Sequence, residues 1–336
     1  MKRYGYLWKD IIDFDNLIRA HYNARKGKGW YKEVKMVDSD PYYYIDNIYK
    51  MLKYKTYQVS EYEVFTKYDS GKERVISKLP YYPDRIVQWA VMQVIEPIFI
   101  KTFITDTYSA IPNRGVHYGL NRLSNALKDK TNTKYCLKFD IRKYYQSIPH
   151  DILKAKLRTV FKDPDLLWFL DVTIDSTEGD VGIPIGNYTS QYFGNFYLSE
   201  LDHYVKENKD PAFYARYMDD IVILHKNKKY LHYLRTDIAW YLQTKLGLTM
   251  KNNWQVFPTF TRGIDFLGYR HFGDFILLRD DIKYRFKRKM LKIMSGLDIG
   301  VCEENCIGSY NGWLKYCDSY RLKQKYLLPA KGVLEC

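Results

Sequence analysis

Long apolar runs are missing from this chain of 336 residues. Its most hydrophobic stretch, Trp89 to Ile100, is broken by Gln93, Glu96 and Pro97, short of the ~18 residues that a membrane span needs. The opening MKRYGYLWKDIID has no apolar core of a signal peptide. A cytoplasmic protein with no membrane partner is expected. Cysteine is sparse too: Cys136, Cys302, Cys306, Cys317 and Cys336 are odd in number and irregular in spacing, the pattern of free thiols in a reducing compartment. Cys302 and Cys306 could share a helix face, but no histidine or second close pair completes a zinc site.

Internal repeats, low-complexity tracts and Pro/Gly/Ser linkers are absent, which predicts subdomains that share continuous packing. Negative charge is in the shortest supply. Against 53 Lys and Arg stand only 39 Asp and Glu, a net charge of +14, and such a surface attracts phosphate backbones. What is abundant is tyrosine, 34 in all. Its rings can stack on bases, although an AT-rich coding sequence would raise the count as well. Hydrophobic residues at 46% and charged residues at 27% describe an ordinary folded protein.

Residues 1–57 read as helices interrupted by the basic loop Arg25-Lys26-Gly27-Lys28-Gly29. Alternation on both sides of Asp69-Ser70-Gly71 signals a hairpin, and the spacing from Asp84 to Phe103 is helical. The centre changes period. Tyr135–Asp140 reads as a strand ending in a carboxylate, His150–Ile174 as largely helical, and Ser190–Asn208 as a further helix. Strands Phe213–Tyr217 and Ile221–Leu224 flank Met218-Asp219-Asp220, and the helix Lys229–Leu246 follows. A strand pair is expected around Trp254–Phe257 and Gly263–Arg270, with basic helices from Asp280 onward. This succession is that of a palm domain, an antiparallel sheet backed by helices.

Asp140, Asp219 and Asp220 therefore stand at the ends of apolar strands. Asp is common in turns, so a lone Asp-Asp pair means little. Three acids at adjoining strand ends mean more, because phosphoryl transfer to a 3′-hydroxyl uses two divalent ions about 4 Å apart. Magnesium takes few carboxylates and completes its shell with substrate phosphates and water.

The flanks make the pattern specific. Phe213-Tyr214-Ala215-Arg216-Tyr217-Met218-Asp219-Asp220 resembles the YxDD box of reverse transcriptases. Leu137-Lys138-Phe139-Asp140-Ile141-Arg142-Lys143-Tyr144-Tyr145 resembles their first carboxylate motif. Gly182-Ile183-Pro184-Ile185-Gly186-Asn187-Tyr188-Thr189-Ser190-Gln191 is similar to the loop-to-helix motif between them, and Phe266-Leu267-Gly268-Tyr269-Arg270 to the primer-grip element. Among the group II intron-like and retron-like bacterial enzymes, the Ile-Gly-x-x-x-Ser-Gln form resembles the reverse transcriptases of diversity-generating retroelements. The opening Tyr4-Gly5-Tyr6-Leu7-Trp8 and the stretch from Ser309 to Leu322 are similar to that group as well. Ile111 and Asn253 depart from it, standing where relatives carry a basic residue.

The resemblance implies an α+β right-hand polymerase: fingers at 1–132, a palm at 133–272 with a fingers insertion at about 141–188, and a short helical thumb at 273–336. It implies two Mg2+ ions, replaceable by Mn2+, on Asp140, the Ile141 backbone carbonyl and Asp219, with Asp220 as a third catalytic acid. Lys67, Lys72, Arg74, Tyr145 and Gln191 would bind the dNTP, Tyr145 excluding a ribose 2′-hydroxyl. Arg74 and Ile185 would set fidelity. Tyr217, Met218, Leu267, Gly268, Tyr269, Arg285, Lys287 and Arg288 would touch primer and template. The implied partners are a template RNA with its RNA/DNA heteroduplex, and a small basic accessory protein of the accessory variability determinant type. The implied activity is error-prone cDNA synthesis at template adenines. Defence-associated reverse transcriptases share the same core, so an anti-phage role with untemplated or protein-primed synthesis is the alternative.

Overall fold

The computed structural model describes residues 3–69, 72–296 and 301–334. Four helices open the chain: α1 (Trp8–Ile11), α2 (Phe14–Ala24), α3 (Lys32–Ser39) and α4 (Pro41–Lys53). Their starts are written in the sequence. Asp13 and Asp40 each accept a backbone N–H of the following turn, from Asn16 and Tyr43, which satisfies donors that a helix start otherwise leaves orphaned. The hairpin β1 (Glu63–Asp69) and β2 (Lys72–Lys78) comes next. Its register is fully antiparallel and places Lys67 opposite Arg74. The expected turn at Ser70-Gly71 lies outside the described residues. Helix α5 (Ile86–Thr102), strand β3 (Thr107–Tyr108) and helix α6 (Val116–Ala126) lead to the central strand β4 (Tyr135–Asp140).

Helices α7 (His150–Val160), α8 (Pro164–Ile174), α9 (Tyr188–Tyr197) and α10 (Ser199–Asn208) follow. The single helix expected over 190–208 is thus two, broken at Leu198, where the sequence has no Gly or Pro to announce it. Strands β5 (Phe213–Tyr217) and β6 (Asp220–His225), helix α11 (Lys228–Leu246) and strand β7 (Gln255–Pro258) come next. After a short helix α12 (Thr259–Arg262), three small strands β8 (Ile264–Phe266), β9 (Tyr269–His271) and β10 (Ile276–Leu278) precede the helices α13 (Asp280–Met294) and α14 (Val301–Leu314). One expectation is corrected here. The segments around 254–257 and 263–270 do not pair with each other. Strand β7 pairs with β4, whereas β8 pairs with β9 and β9 with β10 in a separate sheet.

Contacts group the chain into two compact units. The first contains residues 1–110, 141–208 and 238–251; the second contains 111–140, 209–237 and 252–336. The first unit is mainly helical around Ile11, Leu17, Ile45, Ile86, Val91, Phe99 and Phe169, all fully buried. Its N-terminal segment is held by one carboxylate. Asp163 accepts the backbone N–H groups of Leu7 and Trp8 and also caps α8 through Asp165 and Leu166.

In the second unit, strands β5, β6, β4 and β7 lie side by side in that order, all antiparallel. Antiparallel sheets often leave one face to solvent, but strands covered on both faces carry nearly continuous apolar runs. Accordingly Leu137, Phe139, Ile221, Val222, Ile223 and Leu224 are all buried. A second core joins α13 and α14 to the small sheet through Tyr269, Leu278, Phe286, Met290, Ile307 and Leu314. Among the described residues no helix is long and apolar enough to cross a membrane.

Candidate active site

The register of β4 and β6 sets Asp140 directly opposite Asp220. The two-residue link between β5 and β6, Met218-Asp219, places Asp219 at the same end of the sheet. Met218 sits at φ 54°, a left-handed conformation that costs a non-glycine residue on the order of 1 kcal/mol. Something must hold it there. Arg216, fully buried two residues earlier in β5, donates from Nη1 to the Met218 carbonyl at 3.0 Å. The tight carboxylate turn therefore rests on an arginine beneath the sheet surface.

Three carboxylates gathered at one strand end repel each other and resist burial. Burial, opposed by Lys138 and reinforced by Asp140 and Asp219, pushes the Asp220 carboxyl up to about 6. Its Oδ2 accepts from Lys138 Nζ at 3.2 Å, while its Oδ1 is buried with no hydrogen-bond partner. Lys138 Nζ also donates to the carbonyl of Asp265 in β8. This lysine thus joins the carboxylate turn to the hairpin that carries Leu267 and Gly268. Sequence reasoning assigned Lys138 no role. Its signal was a single cation inside the apolar run Cys136-Leu137-Lys138-Phe139.

A cavity of about 570 Å³ opens beside these groups, lined by Lys138, Asp140, Arg262, Asp265, Arg270 and Arg279 among others. Mixed charge of this kind suits a ligand carrying both metal and phosphate. Among the described residues, no three His, Cys, Asp or Glu side chains form a self-sufficient metal cage. The donor set matches magnesium's habit of taking one or two carboxylates and leaving the rest of its shell to phosphates and water. The orphaned Asp220 Oδ1 and the crowding of negative charge fit a cation arriving with its substrate.

The hairpin implied to grip the primer turns at Leu267 (φ 56°) and Gly268 (φ 84°). A Cβ on Gly268 would meet the Trp313 ring at 2.5 Å, so glycine is required twice over, by conformation and by space. Tyr269 is fully buried and donates its hydroxyl to the Trp313 carbonyl at 3.0 Å, a packing position. On α13 the cations do not all face one way. Arg285, Arg288, Lys289 and Lys292 line a second cavity of about 470 Å³ with Tyr310, whereas Lys287 lies over the Tyr326 ring. Tyr217 and Met218 are half-buried at the carboxylate turn.

The remaining candidates belong to the first unit. Lys67 and Arg74 are exposed and face each other across β1 and β2; the side chain of Lys72 lies outside the described residues. The loop 182–187 is tied to this hairpin's end, because Ser77 donates its N–H to the Ile185 carbonyl at 2.9 Å. Gly186, at φ +130°, passes so close that a Cβ would sit 2.6 Å from the Ser77 carbonyl oxygen. Ile185 is half-buried and Gln191 exposed in the first turn of α9. Tyr145 is half-buried; its carbonyl accepts from Ile183 at 2.8 Å, and its ring packs where Gly194 leaves α9 without a side chain. Ile141 is fully buried and bridges backbone to Met250.

Comparison with known proteins bears on this geometry. The family model described as reverse transcriptase (RNA-dependent DNA polymerase) matches residues 65–271. Protein YkfC of Escherichia coli is 26% identical over 249 residues, covering 62% of this chain and 65% of that one. An uncharacterized 91 kDa protein in the cob intron of Schizosaccharomyces pombe is 29% identical over 134 residues, 38% of this chain but 16% of that protein. The chain therefore spans less than two thirds of these relatives' length. Among solved structures, apo telomerase from Candida tropicalis superposes with a TM-score of 0.51 at 14% identity, covering 69% of this chain and 50% of that one. Telomerase from Candida albicans with a fragment of telomeric RNA gives 0.51 at 12% identity, covering 73% and 52%. At such identities the likeness speaks for the fold, which is the α+β right-hand polymerase fold.

Proposed function

The chain belongs to the reverse transcriptase family, and from that premise we propose that it makes cDNA on an RNA template. The observation that carries the reading is the triad of carboxylates, Asp140 opposite Asp220 with Asp219 in the turn between β5 and β6. Asp140, the Ile141 carbonyl and Asp219 would hold two Mg2+ ions, or Mn2+ in their place. Bound there, the ions would activate a primer 3′-hydroxyl and steady the leaving pyrophosphate. Asp220, tethered by Lys138, completes the negative field. The fingers, palm and thumb correspond in this reading to 1–132, 133–272 with the insertion at about 141–188, and 273–336.

The chain's own side chains would do the positioning. Lys67 and Arg74, with Lys72, hold triphosphate oxygens. Tyr145, braced against α9, lies beneath the sugar and excludes the 2′-hydroxyl, and Gln191 meets the nascent pair. Leu267 and Gly268 seat the primer end. The cations along α13 meet phosphates of the RNA/DNA heteroduplex. The direct test is incorporation of dNTPs on a primed RNA template by the wild type and by Asp219→Asn. A variant within about tenfold of wild type sinks the assignment, since losing a metal ligand costs several powers of ten.

We further propose that the enzyme serves a diversity-generating retroelement with a small basic accessory protein. Supporting this is the Ile185-Gly186 loop, fixed to the end of the hairpin that carries Arg74. A β-branched side chain there is stiff at χ1 and holds the template base off tight register. Arg74 meanwhile supplies binding that does not depend on correct pairing, which weakens discrimination. Sequencing cDNA from a defined RNA, with the accessory protein present, should show errors concentrated at adenines, and Ile185→Asn should change their frequency. Accurate copying of adenine would move the chain to the anti-phage reading.

A further inference from the structure

Asn187 stands at the N-cap of α9, yet its side chain does not cap that helix. Asparagine is among the residues best suited to the task, its side-chain oxygen accepting a backbone N–H of the first turn. Here another helix supplies the acceptor. The buried Gln88 of α5 takes the Tyr188 N–H at 2.9 Å. The same helix holds the Tyr188 side chain, whose hydroxyl donates to Glu96 at 2.9 Å and whose ring stacks on Trp89 at 4.7 Å. Asn187, itself buried, is thereby released for a different contact. Its Nδ2 donates to the Tyr62 hydroxyl at 2.9 Å.

The direction of this contact follows from where the protons go. The Tyr62 and Ser176 hydroxyls lie 2.8 Å apart. Ser176 gives its one proton to the Thr173 carbonyl at 2.7 Å, one of the acceptors that the last turn of α8 leaves open. Tyr62 must therefore donate to Ser176, which leaves its oxygen to accept from Asn187 and turns the amide NH2 of Asn187 toward it. Burial holds the Tyr62 phenol above its ordinary range, so the proton stays in place. Each hydroxyl accepts once and donates once, and a single directed chain joins the start of α9 to the end of α8.

Tyr62 immediately precedes β1, while Ser77 of β2 donates to the Ile185 carbonyl. Both strands of the hairpin are thus fastened to the loop, one tether on each side of Gly186. We propose that Tyr62 and Asn187 are positioning residues for nucleotide selection. They keep the loop beside the nascent pair in register with the hairpin that carries Lys67 and Arg74, so that a matched dNTP meets both at once. Both act through other residues, and the proposal rests on the polymerase reading above but not on the retroelement one.

The test is single-nucleotide incorporation on a primed RNA template, with kcat/KM measured for the matched dNTP and for a mismatched one. Tyr62→Phe removes one oxygen and should lower kcat/KM for the matched dNTP by about two- to tenfold, the worth of one hydrogen bond. The mismatched value should stay nearly unchanged, because it never had both elements in register. Asn187→Leu should do the same, and the double variant should resemble either single one, since partners in one interaction are not additive. Ser176→Ala cuts the chain at its far end without touching the loop, and should shift the ratio the same way by a smaller factor. Equal losses for matched and mismatched dNTP, or effects that multiply in the double variant, assign the pair to support of the fold and overturn the proposal. Unchanged discrimination in Tyr62→Phe overturns it as well. A wild type that incorporates no dNTP overturns the polymerase reading instead, so the two failures stay distinct.

Discussion

Two antiparallel strand pairs in this molecule place like charges directly opposite each other, and they do so in opposite surroundings. In β4 and β6 the pair is Asp140 and Asp220, in a sheet whose neighbouring positions are fully buried, with Lys138 bound to one member. In β1 and β2 the pair is Lys67 and Arg74, on a two-stranded ribbon that also exposes Val64, Phe65, Tyr68 and Val75. Facing like charges destabilise a ladder by up to about 1 kcal/mol. The buried sheet can carry that cost because its core fixes it. The exposed ribbon has no such core around its pair.

The largest effect should come from the acidic pair. Asp140→Asn is expected to lower kcat by about a thousandfold or more while the melting temperature in metal-free buffer holds or rises, because a repulsion has been removed. A fall in both would show that Asp140 supports the fold rather than the chemistry. Next comes the tether. Lys138→Met leaves Asp220 without its counter-charge, at a stability cost of about 1–3 kcal/mol, and should reduce kcat by about tenfold or more, with Lys138→Arg recovering part. Steady-state kinetics and thermal melts separate the two components. A Lys138→Met enzyme with normal kcat removes the link between the carboxylate turn and the β8–β9 hairpin.

The exposed pair should answer differently. Combining Lys67→Ala with Arg74→Ala is expected to raise KM for dNTP by roughly tenfold, with kcat nearly kept and stability unchanged or improved. Equal losses in kcat would place the hairpin in the transition state and undo the contrast. The smallest effect concerns His271, fully buried in β9 of the small sheet, whose pKa burial pushes down to about 4. Its folded value lies below the unfolded one of about 6.5, so its contribution to stability is complete above pH 6.5 and is lost as pH falls toward 4. Near pH 6 the loss is about 0.8 kcal/mol. Between pH 4 and 6.5, denaturant melts should give a shallower pH slope for His271→Phe than for wild type, and equal slopes would clear this histidine of the effect.

Much of this could be read from sequence for a simple reason. Leu137-Lys138-Phe139-Asp140 is a short, mainly apolar run that ends at an acid and Ile221-Val222-Ile223-Leu224 one that begins after Asp219-Asp220, and β structure with a carboxylate rim follows locally. The hairpin around residue 70 was legible by alternation. What stayed hidden was non-local. Strand β7 offers four residues and a partner over a hundred positions away, and β10, Ile276-Leu277-Leu278, looks like the approach to a helix. Lys138 in a strand suggests a solvent-facing position; only the register shows it between Asp220 and Asp265. Arg216 in the YxDD flank likewise gives no hint that it lies fully buried, supporting Met218.

Gly186 carries a consequence for how such an enzyme can change over generations. Its φ of +130° and the Ser77 carbonyl oxygen 2.6 Å from any added Cβ exclude every other amino acid. Every non-synonymous single-nucleotide step from a glycine codon leads to a residue with a Cβ or to a stop. The position is a genetic dead end, so any heritable change in this loop must pass through its neighbours, among them the half-buried Ile185.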